Sequence, residues 1–267
     1  LSGWSGHGLG STSPVPTAIG ITAALSVGTL FHTGLLHTFA VLGLLLAGYL
    51  GAWRLATIFP TVRARITVLA VYAAVPLAAQ LLSAGRWSAL VGYAMAPWVV
   101  HLLRRFAGLD TRWVDEDGDG EALRTVPVRK RVRIGAQLAL IAAVSFAFAP
   151  SSMVLLVGIG VVLALASLIS RGSPAAAGTM ALGSVGAVLA ALVVNLPWSA
   201  TFLGAGGWTA VVGVPPTSAR SLGVRALAEF DVGSLRFTAL AVALFVPVFV
   251  APLVARSWRF VWSIRAA

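Results

Sequence analysis

Charge-free apolar runs alternate along the chain with short basic clusters, and the lengths of the runs set the elements. A bilayer core of ~30 Å takes ~20 apolar residues as one helix, with ~17 to 25 tolerated. Runs at 35–53, 66–85 and 87–103 meet that length and end at Arg54, Arg86 and Arg104. The run at 134–170 would be about 55 Å long as a single helix at 1.5 Å per residue, too long for one crossing. Pro150, Ser151 and Ser152 interrupt it midway. Proline disrupts a helix interior and serine suits a turn or an N-cap, so this run predicts two crossings. Runs at 175–197 and 237–255 complete seven predicted spans. The stretch 17–31 is apolar but short, and predicts a re-entrant or interfacial helix with both ends on the outer face; an eighth span is the alternative.

The predicted fold is therefore an all-α membrane protein, a polytopic helical bundle of about seven transmembrane helices plus one re-entrant or interfacial helix. Residues 1–267 form a single transmembrane domain. Its order is an outer loop at 1–16, the short helix at 17–31, three spans within 35–103, and a charged loop at 104–133. Three further spans within 134–197, an outer loop at 198–236, the last span at 237–255 and a basic tail at 256–267 follow. No internal repeat is evident, and the pairs Gly158/Gly160 and Gly183/Gly186 suit close helix packing.

Composition agrees with the pattern. The length would allow two soluble domains, but 58% hydrophobic and 10% charged residues exclude them, as does a mean hydropathy of +0.93. The net charge of +11 falls between the apolar runs, which makes it loop charge and excludes a nucleic-acid partner. With no cysteine, neither a disulfide nor a thiolate metal site can form, and no metal or cofactor is expected. The chain begins at Leu1 without a charged leader region, and is expected to be a cut through a longer protein.

Orientation follows from Lys and Arg, which are in excess on the cytoplasmic side. The seven-span arrangement places 15 basic residues on one side and only Arg86, Arg220, Arg225 and Arg236 on the other. The loop 104–133 and the C-terminus are thus expected in the cytoplasm of a multi-pass cell-membrane protein.

Several clusters are candidates for chemistry. Asp115, Asp117, Asp119 and Gly120 match the start of a calcium loop, but Val126 stands where the closing Glu belongs, so a solvated loop is the favoured reading over a weak cation site. The basic run at 128–133 reads as a topology anchor attracted by anionic lipid, with a cytosolic partner as the alternative. Arg86 lies in a short outer turn beside Trp87; it is either a snorkelling arginine or a planar fork for a lipid-linked phosphate. Trp4 and His7 lie in a glycine-rich outer loop that is either flexible surface or a place where a polar substrate approaches. His32 and His37 are five apart, which is not the spacing of a helical metal pair, and His101 has no partner nameable from sequence. In the last outer loop Arg225 and Glu229 are spaced for an ion pair. Glu229 or Asp231 beside Arg220 and Arg225 would instead give a general base with an anion clamp. Asn195, at the end of an apolar run, reads as structural.

One set of motifs resembles a known family. It comprises Gly3-Trp4 through Gly8-Leu9-Gly10-Ser11 to Pro14-Val15-Pro16, Val71-Tyr72-Ala73 with Pro76, Ala84-Gly85-Arg86-Trp87, Tyr93 with Pro97, and Asn195-Leu196-Pro197-Trp198. Together these resemble the polytopic membrane glycosyltransferases of actinobacteria, including arabinofuranosyltransferase D-like proteins and the membrane region of long family 2 transferases. The resemblance implies a GT-C fold in the bacterial inner membrane, a polyprenyl-phosphate sugar as donor and a glycan or glycolipid acceptor at an outward-facing site. It also implies a catalytic carboxylate in the first outer loop, where this chain has His7 and no acid. Arg86, Arg220 and Arg225 would hold phosphate, Glu229 or Asp231 would act as base, and His7 and Trp4 would contact sugar. The alternative is a noncatalytic membrane module that translocates a lipid-linked sugar or anchors a cytosolic transferase domain.

Overall fold

The computed structural model describes residues 15–59, 61–84, 86, 89–109, 126–169 and 173–204, with isolated positions at 207, 211, 242 and 246. Every regular element among them is helical. In chain order they are α1 (Thr17–Gly28), α2 (Thr33–Leu55), α3 (Val62–Ala74), α4 (Leu77–Ser83), α5 (Leu90–Phe106), α6 (Val128–Phe148), α7 (Ser152–Ile169) and α8 (Pro174–Val194). A 3₁₀ turn at Ala56–Ile58 follows α2 and another at Trp198–Leu203 follows α8.

Among the described residues, five segments are long and apolar enough to cross a membrane: Thr33–Ile58, Val62–Ser83, Val128–Phe148, Ser152–Ile169 and Pro174–Val194. Their outward faces are apolar. Leu42, Leu46 and Leu50 of α2 are 50%, 60% and 60% exposed, a contiguous stripe that faces lipid and would not be sustained in water. Buried side chains instead concentrate on α5, α6, α7 and α8, around Val99, Leu103, Leu138, Phe146, Leu156 and Met180. This is a membrane bundle with α5 at its hub, packed against α2, α6, α7 and α8.

The expected turn at Pro150 to Ser152 is present. Ala149, held extended (φ −143°, ψ 92°) as a residue before proline must be, ends α6, and α7 begins at Ser152. The expected span 66–85 is present within Val62–Ser83 but is built of two helices. Val75 is extended (φ −65°, ψ 114°) before Pro76, so α3 stops and α4 restarts with Gln80 N–H donating to Pro76 O at 2.8 Å. Pro97 does not end α5. The expected short helix at 17–31 is α1, about 18 Å long at 1.5 Å per residue and without a buried side chain. Leu30 (φ 50°) and Phe31 (φ 62°) take the left-handed conformation that closes it, with Phe31 N–H reaching Ser26 O at 2.8 Å. The expected last span, 237–255, lies outside the described residues.

Lipid tails are as apolar as leucine, so helices in a bilayer are held by close contact and interhelical hydrogen bonds. Both occur between α2 and α5. Trp98 Nε1 donates to Ala47 O at 2.8 Å across this contact. Gly48 and Gly51 admit the neighbours: a Cβ at Gly51 would lie 2.6 Å from Trp98 Cδ1, and one at Gly48 would lie 2.6 Å from Tyr72 Oη. Gly160 admits Ser184 of α8, and Gly183 admits Phe106 of α5. Gly158 and Gly186, paired with them in the sequence reading, face open space.

Tyr72 of α3 and Tyr93 of α5 clasp each other. Tyr72 Oη donates to Tyr93 O at 2.7 Å, Tyr93 Oη donates to Tyr72 O at 3.1 Å, and the rings stack at 4.6 Å. Tyr72→Phe and Tyr93→Phe should each cost about 1 kcal/mol, the usual net value of one such bond. The pair should be nonadditive in a double-mutant cycle of unfolding in detergent, because each ring also positions its partner. Strict additivity would mean the two bonds are independent.

Candidate functional site

A large concavity follows from how α2 meets its neighbours. Ala40, Gly43 and Ala47 are small and lie at i, i+3 and i+7, so this face of α2 is low relief. Val91, Ala94, Met95 and Trp98 of α5 form the second wall, and Ile141, Ser145 and Phe148 of α6 the third. Leu25 of α1 reaches its margin. The result is a groove of about 620 Å³, open along one side and almost wholly apolar. Its lining begins one residue into α5 at Val91 and ends at the last residue of α6, Phe148. It therefore runs from mid-bundle to the end where α5 starts and α6 finishes.

Arg86 lies on the chain at that end, in the turn between α4 and α5. Its N–H donates to Leu81 O at 2.8 Å and its carbonyl accepts from Ala89 N–H at 2.9 Å, which fixes the backbone. The side chain is half-buried, and its buried Nε has no hydrogen-bond partner. A guanidinium with a free N–H at the start of a 17-residue helix is chemically suited to an anionic oxygen, since helix dipole and fixed charge have the same sign there.

The same end holds a second polar feature. Asn195, 1% exposed, donates from Nδ2 to Ala143 O of α6 at 3.1 Å and to Ala191 O at 2.8 Å. Trp198 and Phe202 then close on Phe146, with ring centroids 5.0 to 5.5 Å apart. This confirms a structural role for Asn195: it ties α8 to α6 and starts the turn that seats the aromatic cluster.

No protein family, curated protein or solved structure matches the chain. The site must be argued from its own residues.

Of the candidate catalytic and substrate-binding residues, only Arg86 is among those described. Trp4, His7, Arg220, Arg225, Glu229 and Asp231 lie outside them, as does the acidic string at 115–121. His32 and His37 are exposed at the start of α2, and His32 Nδ1 is 3.1 Å from Leu30 O. His101 is buried and engaged in α5, as is Arg104 one turn later. The groove had no separate signal in the sequence. Its one legible trace was the small-residue run Ala40, Gly43, Ala47, which on one helix does not reveal what stands opposite.

Proposed function

We propose that the chain is the membrane-embedded part of a glycosyltransferase that moves a sugar from a polyprenyl-phosphate donor to a cell-envelope glycan or glycolipid on the outer face of the bacterial inner membrane. The observation that carries this reading is the laterally open apolar groove ending at the side of the bundle where Arg86 precedes α5. A lipid-linked donor has a long hydrocarbon chain and an anionic head, and the groove and the guanidinium offer one partner to each. In the transfer, the bond between the sugar's anomeric carbon and the phosphate oxygen breaks. The acceptor hydroxyl forms the new bond and gives its proton to a carboxylate, for which Glu229 or Asp231 is the candidate. Arg86, with Arg220 and Arg225, would carry the charge left on the departing lipid phosphate.

The test uses the full-length protein with a radiolabelled polyprenyl-phosphate sugar. Arg86→Ala should weaken donor binding about tenfold to a hundredfold, as expected for loss of a charge-assisted hydrogen bond. Gly43→Phe should do the same by filling the groove, since nothing lies within 4 Å of a Cβ built there. Glu229→Gln and Asp231→Asn test the base separately. Unchanged donor binding and transfer in both Arg86→Ala and Gly43→Phe would remove the reading.

A further inference from the structure

The first two turns of α6 carry Arg129, Lys130, Arg131 and Arg133, all exposed. At about 100° per residue, Arg129 and Arg133 share one face of the helix, Lys130 lies about 100° round from Arg129, and Arg131 about 200°. Buried Ile134 and Leu138 fall between Lys130 and Arg131 on this wheel and define the inward side. Arg131 accordingly leans onto α5, its guanidinium carbon 6.0 Å from the centre of the Phe106 ring. Arg129 and Arg133 are left on the outward arc, with exposed Lys130 at its flank. Beside them on that arc are Val128 and Val132, 78% and 65% exposed.

Two electrostatic terms oppose this arrangement in isolation. A helix N-terminus is the positive end of the helix dipole, so cations there are disfavoured, and like charges at i and i+4 repel. The first turn of the helix has no acidic residue to offset either term. An anion set against the outward arc would offset both terms. The position of the arc says which kind. Exposed valines interleaved with cations at the entry to a membrane-spanning helix put acyl chains and headgroups against the same two turns. A protein partner read from the aqueous side would find half of this arc apolar.

We infer that Arg129, Lys130 and Arg133 form a headgroup site for anionic phospholipid, with Val128 and Val132 against its acyl chains. The site is at the opposite end of α6 from the groove lined by Phe148, and its role is independent of the transferase reading.

Native mass spectrometry of the full chain, released from detergent with equal phosphatidylglycerol and phosphatidylcholine, tests it. The wild type should retain phosphatidylglycerol about tenfold over phosphatidylcholine, and 0.5 M salt should abolish the preference because the contact is ionic. Arg129→Gln/Lys130→Gln/Arg133→Gln should lose the preference, whereas Arg63→Gln/Arg65→Gln, altering the cluster at the start of α3, should keep it. Arg129→Lys/Arg133→Lys keeps the charge and should keep binding, which separates loss of charge from loss of fold. Equal uptake of the two lipids by the wild type, as expected if the cluster serves an acidic protein, would overturn the inference. So would full retention of the preference by the triple glutamine variant.

Discussion

Gly51→Leu is expected to prevent α2 from docking on α5. Even the first carbon of a side chain at Gly51 would stand 2.6 Å from Trp98 Cδ1 and Nε1 and 2.9 Å from Pro97 Cγ. Neither neighbour is free to give way, because Trp98 is held by its bond to Ala47 O and Pro97 is part of the helix itself. Overpacking of this kind costs about 1–3 kcal/mol where one carbon is added, and more for a whole side chain. Helix propensity works in the other direction, since replacing a helical glycine with alanine gains about 1 kcal/mol. Gly186→Ala, with nothing within 4 Å of its Cβ, should therefore be neutral or stabilising, and Gly51→Ala clearly destabilising. Thermal unfolding in detergent, followed by tryptophan fluorescence, reads the contrast. Equal behaviour of the two alanine variants would mean that the α2–α5 contact is looser than described. Trp98→Ala should relieve part of the Gly51→Ala penalty, because it removes the obstructing ring.

The second large effect is expected at Asn195. Its Nδ2 donates to two carbonyl oxygens, at 3.1 and 2.8 Å, in a site only 1% exposed. Asn195→Ala removes both bonds and leaves Ala143 O without this donor, at a cost of about 1–3 kcal/mol. Asn195→Asp is isosteric and should be worse at neutral pH. It replaces a donor with an oxygen that faces two carbonyl oxygens, and it buries a charge among them. Ranking the variants by unfolding midpoint gives a direct check. If aspartate is tolerated as well as alanine, the amide nitrogen does not face the carbonyls.

The bundle was legible in the sequence to the extent that charge and length decide it. The apolar runs foretold α2, α6, α7 and α8, and Pro150 foretold the turn between α6 and α7. Proline was not a uniform signal, however. Pro76 separates α3 from α4, whereas Pro97 sits inside α5 against Gly51 and beside the anchored Trp98. Neighbouring helices can support a proline within a membrane helix, and that support is a property of the packed bundle. The pairing of α2 with α5 was equally hidden, because it depends on Gly48 and Gly51 meeting residues more than 20 positions away. The groove needs four elements that are not consecutive in the chain, so no single window of sequence contains it. Arg86 was legible because an isolated cation between two apolar runs stands out whatever the packing. That its Nε would be buried without a partner was not.

The central claim is that the groove takes the hydrocarbon chain of a lipid phosphate whose head lies toward Arg86. Photocrosslinking with a diazirine-bearing polyprenyl phosphate in reconstituted membranes tests it most directly. The account predicts label on peptides covering positions 40–50 of α2 and 91–98 of α5, displaced by unlabelled polyprenyl phosphate and lost in Gly43→Phe. Equal label on the exposed faces of α7 and α8, without displacement by unlabelled polyprenyl phosphate, would contradict it.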